Sequence, residues 1–236
     1  MQVFFWIGFA LLLPQALWVR RRATRFADAT GEPAGQIVGP DAVRLVAIGD
    51  SIIAGVGCRT LEKACVGQTA LQLARALGRG VKWSCIGRTG STTGGILRHL
   101  VPRLPEQSAD FVLISAGVND ITGLKKIPAW RERLSALIQA LKAHSPDATI
   151  VMLGIPPLGC FPRLPQPLRA VFGLRARGFD KAAEALLTPM PKVIYVPFDQ
   201  DLAPEDFAPD GYHPSESSCT EIARVLVEAA VSNQGG

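Results

Sequence analysis

The chain has 236 residues and a formal net charge of +5, with 48% hydrophobic and 19% charged residues, which gives it apolar material for one substantial core and excludes a disordered chain. The positive balance does not mark a nucleic-acid binder, because Arg20, Arg21, Arg22 and Arg25 lie beside an apolar segment and the other arginines are scattered among acids. The five cysteines, Cys58, Cys65, Cys85, Cys160 and Cys219, show neither a CxxC pair nor zinc-site spacing, so they read as reduced core residues, with Cys58 and Cys65 close enough in sequence to bridge in an oxidising compartment.

Val3 through Val19 is almost wholly apolar and would run roughly 25 Å as a helix. No basic side chain precedes it and arginines follow directly, which favours an uncleaved anchor over residues 1–25 rather than a signal peptide. Membrane association through residues 3–19 would then leave the following domain on the cytoplasmic face, export being the alternative. Pro14 and Gln15 weaken a full span and allow an amphiphilic helix packed on the domain or dipping into one leaflet. Residues 26–41 carry Thr30-Gly31-Glu32-Pro33 and Gly39-Pro40 with little periodicity and read as a linker, so the folded domain is expected over 42–236.

From there apolar, β-branched runs alternate with helical patterns. Val43 to Ile48 reads as a strand, Gly67 to Leu77 as a helix, and Val81 to Ile86 as a strand. A helix is expected around Thr92 to Leu104, a strand at Phe111 to Ser115, a helix near Pro128 to His144, and a strand at Thr149 to Leu153. A Pro-rich stretch to Pro167 precedes a helical pattern at Leu168 to Leu187, a strand at Val193 to Val196 and a last helix from Glu216 to Val231. Five strands interleaved with helices imply an α/β fold whose mostly parallel sheet is covered on both faces.

Four short motifs occupy strand ends or the C-terminal loop: Gly49-Asp50-Ser51, Ile86-Gly87-Arg88, Gly117-Val118-Asn119-Asp120 and Asp210-Gly211-Tyr212-His213-Pro214. A serine at a strand end can hold its hydroxyl in a cleft and its own amide toward a developing oxyanion. It needs a base, and His213 lies in a loop three residues after Asp210, a spacing that lets a carboxylate reach the far imidazole nitrogen. His99 and His144 fall within helical patterns away from any serine-bearing strand end. Gly87 can bring an unobstructed N–H close to a ligand, and Asn119 can offer its side-chain amide. Each motif alone is ordinary turn chemistry; the ordered set is what points to a hydrolase.

With those residues in that order, the chain resembles the SGNH (GDSL-type) hydrolase superfamily from about Val43 to the last helix. The resemblance implies a three-layer α/β/α sandwich, flavodoxin-like, with a five-stranded mostly parallel sheet. It also implies Ser51 as nucleophile, His213 as base and then acid, Asp210 as its orienting partner, and the N–H groups of Ser51 and Gly87 with Asn119 as the oxyanion hole. No metal or organic cofactor is implied. Ile52 replaces the leucine of the GDSL name, and Cys85 stands where many members carry a polar residue, which makes Gly87 the loosest match. The expected activity is hydrolysis of carboxylic esters of short to medium acyl chains, with Ile155 to Phe172 as a candidate acyl wall. Lysophospholipase or acyl-thioesterase and carbohydrate O-acetylesterase activities are the alternatives. A non-catalytic module binding phosphate or a nucleotide through Gly49 to Gly57 is more distant, since the stretch has neither a P-loop ending nor GxGxxG.

Overall fold

The computed structural model describes residues 26–198 and 202–233, together with Leu12, residues 14–16, Trp18 and Val19 of a helical N-terminal segment. Five parallel strands stand where the apolar runs place them: β2 (Val43–Gly49), β3 (Val81–Gly87), β4 (Phe111–Ser115), β5 (Thr149–Leu153) and β6 (Val193–Val196). With β1 (Ala34–Ile37) they form a six-stranded sheet of order β1-β3-β2-β4-β5-β6. The sixth strand corrects the expected count. It is β1, which pairs antiparallel with β3 at the sheet edge, inside the stretch read as a linker.

The reason β1 lacks a sequence signal is physical. It is held by main-chain pairing rather than by a buried face, and its residues alternate only between exposed and half-buried. The Trp83 indole lies so close over Gly35 that a Cβ there would meet a ring carbon at 2.4 Å. Residues before β1 are also docked: the Ala29 N–H donates to the Ala54 carbonyl at 3.0 Å, and Thr30 exchanges backbone bonds with Arg59 and Leu61. Part of the expected linker is therefore built into the domain.

Period-two alternation along the central strands divides the core between the two faces. Val46, Ile48, Val112, Ile114, Ile150 and Met152 point to one side. There they meet α2 (Thr93–His99), α4 (Ile127–His144) and α5 (Leu168–Leu187), with Trp130 and Phe179 in ring contact at 4.7 Å. Leu45, Ala47, Phe111, Leu113 and Val151 point to the other, against α1 (Cys65–Leu77) and α6 (Glu216–Ser232). The helix expected over Thr92 to Leu104 ends earlier, at His99, because Pro102 forces a separate 3-10 turn over Val101–Arg103. A five-residue helix absent from the expectation, α3 (Val118–Thr122), follows Gly117, whose φ of 126° turns the chain sharply after β4.

The crossover after β2 runs over the α1 face and those after β3 and β4 over the opposite one, so a switch point opens between the carboxyl ends of β2 and β4. Much of the expected anchor lies outside the described residues. Within it, Leu12, Ala16 and Val19 pack against the α5 side of the core, and the Gln15 side-chain amide donates to the Gln166 carbonyl at 2.9 Å. Among the described residues no helix is long and apolar enough to cross a membrane.

Candidate active site

The β2 strand ends by handing its ladder to a tight turn. The Asp50 N–H donates to the Ser115 carbonyl at 3.1 Å, the Ala54 N–H to the Asp50 carbonyl at 3.0 Å, and the Val56 N–H to the Ser51 carbonyl at 3.0 Å. The Asp50 side chain fixes that turn from within: its Oδ1 accepts from the Ile52 N–H at 3.2 Å and from the Ser115 hydroxyl at 2.9 Å. Burial pushes the Asp50 carboxyl up to about 6, against the opposing pull of the Ser115 and Ile52 bonds and of the nearby His213. Ser115 was not singled out from sequence, although a lone hydroxyl closing the apolar run Phe111–Ser115 is a visible signal.

The loop from β6 to α6 closes on itself through an antiparallel bridge between Phe207 and Pro214, with the Ala208 N–H donating to the His213 carbonyl at 2.8 Å. Inside it Asp210 Oδ1 accepts the Tyr212 and His213 N–H groups at 2.8 and 3.0 Å, while His213 Nδ1–H donates to Oδ2 at 2.5 Å. Burial raises the Asp210 carboxyl, but the bonds from His213 and the Tyr212 amide outweigh it and leave the group below its ordinary value. An ionised Asp210 fixes the tautomer with Nε2 as acceptor. The Ser51 hydroxyl donates to that Nε2 at 2.8 Å, across 162 residues of sequence. Ser51, His213 and Asp210 thus form one continuous hydrogen-bonded relay.

Gly87 ends β3 beside this turn, in register with Gly49. A Cβ there would lie 2.3 Å from the Ala54 nitrogen, so only glycine lets the two backbones meet this closely. Cys85 ties the same contact from the side, its thiol donating to the Ile53 carbonyl at 3.1 Å. Burial raises this thiol, opposed by the Gly87 N–H.

Asn119 stands in the first turn of α3, and its side-chain amide donates to the Ser91 carbonyl at 3.0 Å, leaving a second amide hydrogen. Next to it Asp120 is wholly buried and accepts both the N–H and the hydroxyl of Thr93, at 2.7 and 2.9 Å, while Trp130 Nε1–H donates to the same hydroxyl at 2.9 Å. The Asp120 carboxyl is raised by burial, opposed by Thr93. This network docks the start of α2 onto α3 and was not anticipated. Its members look like ordinary cap residues until the fold brings them together. The other histidines lie elsewhere: His144 faces Ser145 and the Pro105 carbonyl, and His99 is exposed.

An apolar pocket opens one residue away from the relay. Ile52, the neighbour of Ser51, and Tyr212 and Pro214, the neighbours of His213, line it with Phe161, Phe198 and Phe207. Its cavity volume is about 30 Å³. Of the segment expected to wall an acyl pocket, Pro156 and Phe161 reach it, whereas Leu158, Leu164, Leu168 and Phe172 are spent on the core.

Known proteins share both the sequence pattern and the architecture. A GDSL-like esterase of Mycobacterium tuberculosis is 30% identical over 195 residues, covering 79% of this chain and 61% of that protein, so the chain spans about three-fifths of this relative. A crystal structure of the lipase Lip_vut3 from goat rumen metagenome superposes with a TM-score of 0.66 at 17% identity, over 79% of this chain and 97% of that one. A Clostridium thermocellum family 3 carbohydrate esterase does so at 0.64 and 18%, over 83% and 98%. Likeness at such identities speaks for the fold. The decisive match is that of the GDSL-like lipase/acylhydrolase family, which extends over residues 47–217, from inside β2 into α6 and across all four motifs, and the chain belongs to that family.

Proposed function

We propose that the protein is a serine esterase that hydrolyses carboxylic esters of short to medium acyl chains through an acyl-enzyme. The observation that carries this reading is the Ser51–His213–Asp210 relay, with contacts of 2.8 and 2.5 Å. As Ser51 Oγ attacks the ester carbonyl, His213 Nε2 takes its proton, and Asp210 stabilises the imidazolium that forms. The same nitrogen returns the proton to the leaving alkoxide. In the second half, water gives its proton to His213 and attacks the acyl carbon, and Ser51 leaves as the protonated alcohol.

Charge on the tetrahedral oxygen is assigned to the Ser51 and Gly87 N–H groups and to the second amide hydrogen of Asn119. The Ser91 carbonyl holds Asn119 in place before substrate arrives, and a donor that is already oriented costs nothing to reorganise. The narrow apolar pocket beside Ile52, walled by Phe161 and Phe207, supports small acyl groups. The arginines after the apolar N-terminal segment support a place for the domain at the inner face of a membrane.

The test is hydrolysis of a chromogenic ester series, from acetyl to long acyl chains, by the full chain and by Ser51→Ala. Turnover should fall steeply beyond medium chains and vanish in Ser51→Ala, whose circular dichroism should match the parent. Equal turnover by the variant would remove Ser51 from the reaction, and an optimum at long chains would overturn the assigned substrate class.

A further inference from the structure

Three cysteines far apart in sequence meet at the seam between the segment after Ser51 and the first turn of α6. Cys219 is the shared member: the Cys65 thiol donates to its Sγ at 3.2 Å, and Cys58 Sγ lies 3.6 Å from it. All are free thiols. Cys58 and Cys65 are close enough in sequence to bridge, but the fold places Cys219 in contact with both. Cys65 and Cys219 are only 1% and 2% exposed, whereas Cys58 is half-buried. Among the described residues no group of three or more such side chains is arranged to hold a metal ion.

We propose that this cluster is a thiol–disulfide exchange site that takes a small disulfide, of the class of oxidised glutathione, at Cys58 and closes a Cys58–Cys219 bond. The Cys58 sulfur attacks one sulfur of the small disulfide, whose S–S bond breaks and whose other half leaves as a thiol carrying the Cys58 proton. The Cys219 sulfur then attacks Cys58 Sγ, expelling the second small thiol with the Cys219 proton. Two protein thiols are oxidised and one small disulfide is reduced to two thiols. Closing the bond needs the sulfurs to move from 3.6 Å to about 2 Å. The hydrogen bond to Cys219 and burial hold the Cys58 thiol above its ordinary value, so the first attack is slow and gains from an exchange catalyst.

The bond would join the two halves of the catalytic relay. Cys58 follows the Ser51 turn and Cys219 sits on the helix that follows His213, and a bidentate ion pair between Arg59 and Glu216 already spans the same seam at 3.0 Å. The full chain, treated with oxidised glutathione or left reduced, should be alkylated, digested and mapped by mass spectrometry. Oxidation should yield a peptide linking Cys58 to Cys219 and raise the melting temperature by roughly 5–10 °C, with dithiothreitol reversing both. Cys58→Ser should leave Cys219 unlinked, and Cys160→Ser, which removes an exposed thiol outside the cluster, should change nothing. A glutathione adduct persisting on Cys58 without an internal link would overturn the proposal, as would a Cys65–Cys219 bond formed as fast in Cys58→Ser. None of these readouts depends on ester hydrolysis.

Discussion

Asp50 is a carboxylate in a place that resists charge. Folded, it takes up its proton near pH 6, and at its ordinary value of 3.8 when exposed, so the native state binds more protons between those limits. Stability therefore falls as pH rises from about 4 to about 6 and is flat beyond, with a total cost on the order of 3 kcal/mol. Asp50→Asn keeps an oxygen for the Ile52 and Ser115 donors but carries no charge. Its urea midpoint should exceed the parent's at pH 7 and converge with it below pH 4. If His213 becomes an imidazolium as proposed, kcat should also drop, because a nearby negative charge is gone. Equal midpoints at pH 7 would mean that Asp50 does not resist ionisation in the folded protein. All three residues of the relay were legible in the sequence because strand-end serine, loop histidine and a carboxylate three residues earlier leave few alternative pairings. Asp50 and Ser115 were less so, since their roles depend on two strands lying side by side.

At the level of elements, the short helices matter more than their length suggests. α3 offers Asn119 from its first turn, and the buried contact between Asp120 and Thr93 fixes that turn against α2. If Asn119 serves the oxyanion as proposed, Asn119→Ala should lower kcat by roughly a hundredfold or more while KM changes little. Steady-state kinetics on a short-chain ester would show this, and a rise in KM at unchanged kcat would assign Asn119 to ground-state binding. The long buried strands could be placed from sequence almost to the residue, because strands apolar on both faces carry a dense signal. β1 and α3 could not: four residues pairing at an edge and five residues after a sharp turn are specified by their neighbours, Trp83 and Thr93, rather than by any periodicity of their own.

Across the whole molecule, the segment before β2 completes the domain. Beginning the chain at Ala42 would bare the outer edge of β3 and remove the Ala29 and Thr30 bonds to the loop that carries Ser51. Such a chain should melt several degrees, roughly 5 °C or more, below one begun at Phe26 and scatter light on standing, since an unpaired strand edge invites sheet extension. Matching melting curves for the two would return residues 26–41 to the role of a tether.

The distance along the chain between Ser51 and His213 also carries a meaning in time. During synthesis Ser51 emerges early, and its hydroxyl has no imidazole to bond until the loop that carries His213 docks against it. On the proposed mechanism a nascent or half-folded chain is silent toward esters, and activity would first appear when the two ends of the domain have found each other.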